Sequence, residues 1–327
     1  MKNILGVEIG NKTLKLVEVK KGSISNFSVV DLPDNAVING ELIAFEEMSN
    51  ILREAFRKNR FSCKQCALIL PDSDVYLRRM TMPVMNEKQL MVNIPYEFKD
   101  VISNDKDKYF YDYSMIRHIK DDEGVVKEME LLGAVVSKEL IEKYEEMFKK
   151  AGLRLIKAGP RETALGSLAN ALNSGDEKKD FAILDLGYKS SKVDIFKEGV
   201  YEVTRTVDYG VEEIIKVAAD IMDIDEHLAA SYLEMNKNNI QGHDRCIDIY
   251  SSIAIEVMRV MNYYAFENPN SNLETLYYCG GGANIARFIE EVKTTNSLEI
   301  QPLSMLGKDI PEEAIMRASS ALGACFE

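Results

Sequence analysis

Apolar and polar positions at the start of the chain fall into short alternating blocks. Residues 4–9 and 13–19 read as two strands around the turn Gly10-Asn11-Lys12. After Asn39-Gly40, the apolar residues Leu42, Ile43, Met48, Ile51, Leu52 and Phe56 recur at helical spacing. A strand over 67–70 stops at Pro71-Asp72-Ser73. Residues 75–136 break this alternation with a strand ending at Pro83 and a helical run over 87–101 that Pro95 is expected to kink. Polar turns follow at 104–107 and 121–124, the second a hairpin tip between 111–118 and 125–136. An amphipathic helix over 139–150 ends at Ala151-Gly152, as a glycine C-cap should, and a strand over 153–158 and a helix over 163–172 come next.

The polar stretch 173–180 separates two halves, giving expected domains of 1–175 and 176–327 with an α/β insert at about 75–155 in the first. The second half opens as the first does. Setting Glu8 on Asp185 aligns Glu8-Ile9-Gly10-Asn11-Lys12-Thr13-Leu14-Lys15-Leu16 with Asp185-Leu186-Gly187-Tyr188-Lys189-Ser190-Ser191-Lys192-Val193. Acid, glycine, lysine, hydroxyl and lysine coincide, which predicts two related domains facing each other.

Composition narrows the field. Hydrophobic residues are 46% and charged residues 28%, an ordinary globular balance. Forty Lys and Arg against 53 Asp and Glu leave a net charge of −13, which disfavours nucleic acid as a partner. No run approaches the roughly 18 apolar residues of a membrane span, and the opening residues lack the core of a secretory signal. Five cysteines suit reduced thiols; Cys63-Lys64-Gln65-Cys66 has redox or half-zinc-site spacing, but no second pair answers it, and a structural role is the expectation. No Ser-His-Asp pattern supports nucleophilic hydrolysis.

The two glycine turns carry the candidate chemistry. A tight turn between strands presents backbone N–H groups in a row, a nest for phosphate oxygens. Gly10, Asn11, Lys12, Thr13 and Lys15 form one such set; Gly187, Tyr188, Lys189 and Ser190 form the other. The acids before the turns, Glu8 and Asp185, are candidate magnesium ligands. Later, 276–285 spells a strand, the triplet Gly280-Gly281-Gly282 and the start of a helix. Bare glycines let a ribose or flat ring lie against backbone, or simply form a flexible connection. P-loop and Rossmann sequences are absent.

Two acid-x-Gly hairpins with a late glycine triplet resemble the phosphate and adenosine motifs of the actin/heat-shock-chaperone/sugar-kinase ATPase superfamily. Within it the chain resembles the type IV pilus assembly PilM family. Gly6-Val7-Glu8-Ile9-Gly10, Val37-Ile38-Asn39-Gly40-Glu41, Arg79-Met80-Thr81-Met82-Pro83, Ala151-Gly152-Leu153 and Glu256-Val257-Met258-Arg259 carry the likeness from end to end. It implies an actin-like ATPase fold, two related domains around a nucleotide cleft that binds ATP or ADP with Mg2+. It implies a cytoplasmic scaffold, without its own membrane anchor, recruited to the inner face of the plasma membrane by the N-terminal tail of a PilN-like inner-membrane protein, alongside other pilus assembly proteins. The tail is expected on the first domain beside the insert, where Leu90, Met91, Ile94 and Phe98 are the candidate contacts; the alternative is that these residues pack inside the insert. Gly210, in Asp208-Tyr209-Gly210-Val211, stands where the family has paired glycines. Glu8 replaces the usual aspartate, and Arg161 falls where the superfamily's water-orienting acid is sought, so hydrolysis is expected to be weak or absent and no catalytic residue is assigned. The rivals are a cell-division actin homologue such as FtsA, whose basic amphipathic tail has no counterpart here, and a small-molecule kinase, for which no general base is evident.

Overall fold

Extended blocks and helical periods resolve into fifteen strands and nine α-helices among the described residues of the computed structural model: 3–38, 40–103, 105–172, 179–307 and 310–326. Asn39, Asn104 and residues 173–178, with the expected boundary at 175, lie outside them. The first half runs β1 (Ile4–Ile9), β2 (Thr13–Lys20), β3 (Ser23–Asp31), the short pair β4 (Val37–Ile38) and β5 (Glu41–Leu42), α1 (Phe45–Lys58) and β6 (Gln65–Leu70). Next come β7 (Val75–Pro83), α2 (Glu87–Glu97), β8 (Tyr109–Lys120), β9 (Val126–Ser137), α3 (Lys138–Lys150), β10 (Arg154–Pro160) and α4 (Arg161–Leu172). The second half runs β11 (Phe181–Leu186), β12 (Ser191–Lys197), β13 (Val200–Val207), α5 (Val211–Met222), α6 (Glu226–Glu234), α7 (Asp244–Glu267), β14 (Thr275–Cys279), α8 (Ala286–Thr295), β15 (Glu299–Pro302) and α9 (Glu312–Gly323).

The repeat extends far beyond nine residues. One sheet is ordered β10-β6-β1-β2-β3 and the other β15-β14-β11-β12-β13, with the same antiparallel and parallel neighbours. Glu8 faces Lys15 across the first hairpin as Asp185 faces Lys192 across the second. Even the register shift recurs, between Glu18 and Val19 and between Ile195 and Phe196. β1 and β11 are apolar on both faces because helices cover both, as central strands with parallel neighbours require.

A small sheet, β7-β9-β8, has no counterpart among the described residues of the second half. Period-two alternation gives it two different faces. Met129, Leu131 and Val135 of β9 join Leu90, Ile94 and Phe98 in one core under α2, while Leu132, Ala134 and Val136 turn the other way. The small sheet and α2 occupy 75–137; α3 instead buries Tyr144, Met147 and Phe148 in the first lobe's core, and β10 is a strand of its main sheet, so the expected insert of 75–155 divides. The helix expected over 87–101 runs through Pro95 and stops at Glu97. Its start is fixed by a capping box in which Asn86 and Gln89 exchange side-chain-to-backbone bonds, each of 3.0 Å.

α4 and α9 pack together between the lobes. Their core joins Val17 and Val19 of the first sheet to Ile183 and Phe196 of the second.

Candidate nucleotide cleft

Both turns close tightly on their glycines, although the Gly187 amide donates to Asp185 O (3.1 Å) and not across its hairpin. The Gly10 amide donates to Thr13 O (2.9 Å), and a Cβ at Gly10 would lie 3.2 Å from that oxygen. At Gly187 a Cβ would meet Ser190 O at 2.6 Å. The amides of Asn11, Lys12, Tyr188 and Lys189 donate to no carbonyl among the described residues. Unpaired N–H groups at two facing turns are the raw material of an anion nest.

The turns face each other across a cavity of about 330 Å³. Its walls include Gly10, Asn11, Lys12, Thr13 and Lys15 on one side and Gly187, Tyr188 and Ser190 on the other, with Glu8, Asp185 and Gly281. Lys189 is turned away; it pairs with Glu212 at 2.5 Å and lines an adjoining hollow. Gly210, Gly280 and Gly282 stand behind the wall. A Cβ at Gly210 would strike Tyr188 O at 2.2 Å, at Gly280 (φ +94) Asp185 Oδ1 at 2.5 Å, and at Gly282 Leu186 Cβ at 2.9 Å, so these glycines let α5 and the triplet close onto β11. Only Gly281 of the triplet is among the lining residues.

The cavity has two chemically distinct ends. Val211, Ile215, Ala230, Leu233 and Ile285 make an apolar chamber against α5 and α6, rimmed by Asn284 and Glu234. Lys12, Lys15, Arg161 and Lys192 lie at the turn end. An apolar slot joined to a cationic floor fits a base and its phosphates.

The floor is a buried ion network. Lys15 Nζ lies 2.6 Å from Glu8 Oε1. Burial opposes its charge, but Glu8 and Asp185 outweigh burial and hold its pKa above the ordinary lysine value. Arg161, at the start of α4, forks onto Asp194 at 2.7 and 2.8 Å and reaches Glu162 at 3.3 Å and Asp185 at 3.5 Å. Burial raises the Asp185 carboxyl above its usual range despite Arg161 and Lys15, and burial likewise raises Glu162 against the pull of Arg161. Lys192 bonds Asp72 across the cleft; burial lowers its pKa. As magnesium ligands, Glu8 and Asp185 do not fit: each already faces a cation, and no cluster of three or more acidic, His or Cys groups placed to hold a metal occurs among the described residues.

Three of the candidate partner contacts do not face solvent. Leu90, Ile94 and Phe98 are buried beneath α2 by the small sheet's own apolar residues. Met91 is exposed, as are its neighbours Val92 and Tyr96.

The sequence model of the type IV pilus assembly protein PilM matches residues 6–306. The chain belongs to the PilM family. Among solved structures, a PilM-PilN type IV pilus biogenesis complex matches 98% of this chain and 97% of its own, with a TM-score of 0.80 at 17% identity. The ethanolamine utilization protein EutJ from Carboxydothermus hydrogenoformans matches 100% and 90%, with a TM-score of 0.62 at 16% identity. An archaeal actin homolog gives 0.52 at 10% identity over 99% and 98%. The PilM fold seen here is therefore the actin-like ATPase fold.

Several PilM-lobe residues that shape the cleft carry no motif of their own. Lys192 was visible only as the repeat partner of Lys15, whereas Leu233 and Arg317 arrive from distant elements that the fold alone brings together.

Proposed function

We propose that this chain is a nucleotide-binding scaffold of type IV pilus assembly, working in the cytoplasm and docking the tail of a PilN-like membrane protein. The observation that carries the nucleotide reading is the pair of matched glycine turns facing one cavity with an apolar chamber at its far end. Adenine suits the chamber and ATP or ADP phosphates the nests. Binding rather than turnover is the activity read here, because the carboxylates at the floor are tied to cations and Glu162 is buried toward its protonated form. Calorimetry with ADP is the test. Gly187→Ala, which forces a Cβ against Ser190 O, should weaken binding at least tenfold while the protein stays folded; undetectable binding of ADP to the unaltered protein at millimolar concentration would sink the reading.

The tail reading rests on a groove of about 630 Å³ between the small sheet and the first lobe. Its floor holds Leu77, Leu132 and Ala134, the face of the small sheet opposite α2, and its far wall is Ala158, Gly159, Pro160 and Thr163. β8 is the edge of its sheet and flanks the groove through Phe110, so an extended aliphatic tail can add along that edge. Phe110→Asp should lower affinity for a synthetic tail peptide about tenfold or more and leave ADP affinity unchanged. Tail crosslinks confined to residues after 180 would contradict it.

A further inference from the structure

Two cations, buried Arg161 and half-buried Lys15, stand where a divalent ion would be expected to meet the cleft's acids. We infer that this chain binds its nucleotide without a divalent cation, Arg161 and Lys15 supplying the positive charge that the phosphates need. The inference rests on the nucleotide reading above and concerns what neutralises the ligand. Magnesium demands an octahedral shell of oxygens at roughly 2.0–2.1 Å and is usually held through one or two carboxylates. Glu8 Oε1 is instead 2.6 Å from Lys15 Nζ, and Asp185 Oδ2 is 3.5 Å from Arg161 Nη1. A dication beside Asp185 would sit against a guanidinium that cannot shed its proton.

Arg161 is not free to withdraw. Its side chain is 7% exposed and its fork is fixed on Asp194, which is fully buried and also accepts from Thr204 Oγ1 at 2.6 Å. Moving the guanidinium would strand a buried carboxylate. Arg161 Nε is buried without a hydrogen-bond partner. Such a donor is satisfied by an anionic oxygen. Glu8 Oε2 is also buried and unpartnered, but one such acceptor falls short of a metal's shell.

The test compares ADP affinity in EDTA and in millimolar magnesium by calorimetry, using the full chain. The two values should agree within about threefold. Arg161→Gln alone can fail to fold because it strands Asp194, so the working variant is Arg161→Gln with Asp194→Asn, which removes the pair together. That variant should lose at least tenfold in EDTA and recover most of it with magnesium, because Asp185 is released. Binding by the unaltered chain only when magnesium is present would overturn the inference and leave the nucleotide reading standing. ADP binding under neither condition would overturn both, and a double variant as indifferent to magnesium as its parent would remove Arg161 from the account.

Discussion

Glu18 shows how one side chain can be both buried and charged. It sits at the bulge of β2 and accepts from the amides of Ser62 (2.7 Å) and Cys63 (2.5 Å), from Ser25 Oγ (2.7 Å) and from Lys20 (2.8 Å). Burial alone would raise its pKa; Lys20, the Cys63 amide, Ser25 and the Ser62 amide outweigh it and bring it to about 2. A lowered folded pKa gives stability that is complete above the unfolded value of 4.5 and lost as pH falls from there toward 2. Glu18→Gln should therefore cost about 2–3 kcal/mol at neutral pH and flatten the acid limb of a urea-midpoint-versus-pH curve. An unchanged acid limb would refute this. At this scale the sequence was most legible where a residue repeats: Glu8 with Asp185, Lys15 with Lys192. It was silent on Glu18, whose two amide donors lie in a loop 44 and 45 positions away, and on Arg161, whose fork onto Asp194 is a purely spatial fact.

At the scale of elements, close approach decides the packing of α9. A Cβ at Gly6 would lie 1.8 Å from Ala321 O, and one at Gly323 would lie 2.1 Å from Ala164 O, so β1, α9 and α4 touch backbone to backbone. Gly6→Ala should destabilise by roughly 1–3 kcal/mol through overpacking, read as a lower urea midpoint at unchanged m-value. An unshifted midpoint would show that the interface yields. The hairpins were legible because alternation and turn glycines agree there. β3 and β13 escape such a reading because each pairs with a single neighbour and carries polar residues on an only half-covered surface. For α2 the apolar count was read correctly but its destination was not: Leu90, Ile94 and Phe98 serve the small sheet's core, and the groove uses the sheet's opposite face, which helical periodicity cannot reveal.

Across the whole molecule, two lobes of one topology are joined by α4 and α9 and by ion pairs between them, Arg161 to Asp194, Lys192 to Asp72 and Arg79 to Glu202. The place of α9 has a consequence for how the protein comes to exist. It packs on β1 and β2 and shares a core with Val17 and Val19, yet it is translated roughly 290 residues after β2, about 15–60 s later at typical rates of synthesis. Until then one face of the first lobe's sheet has only α4 to cover it. A fragment ending at residue 172 should accordingly show no cooperative thermal transition and little amide protection, whereas the full chain shows both; a protected, cooperative fragment would argue that α4 suffices. The nascent first half is thus the stage at which a chaperone, rather than a pilus partner, has an apolar surface to hold.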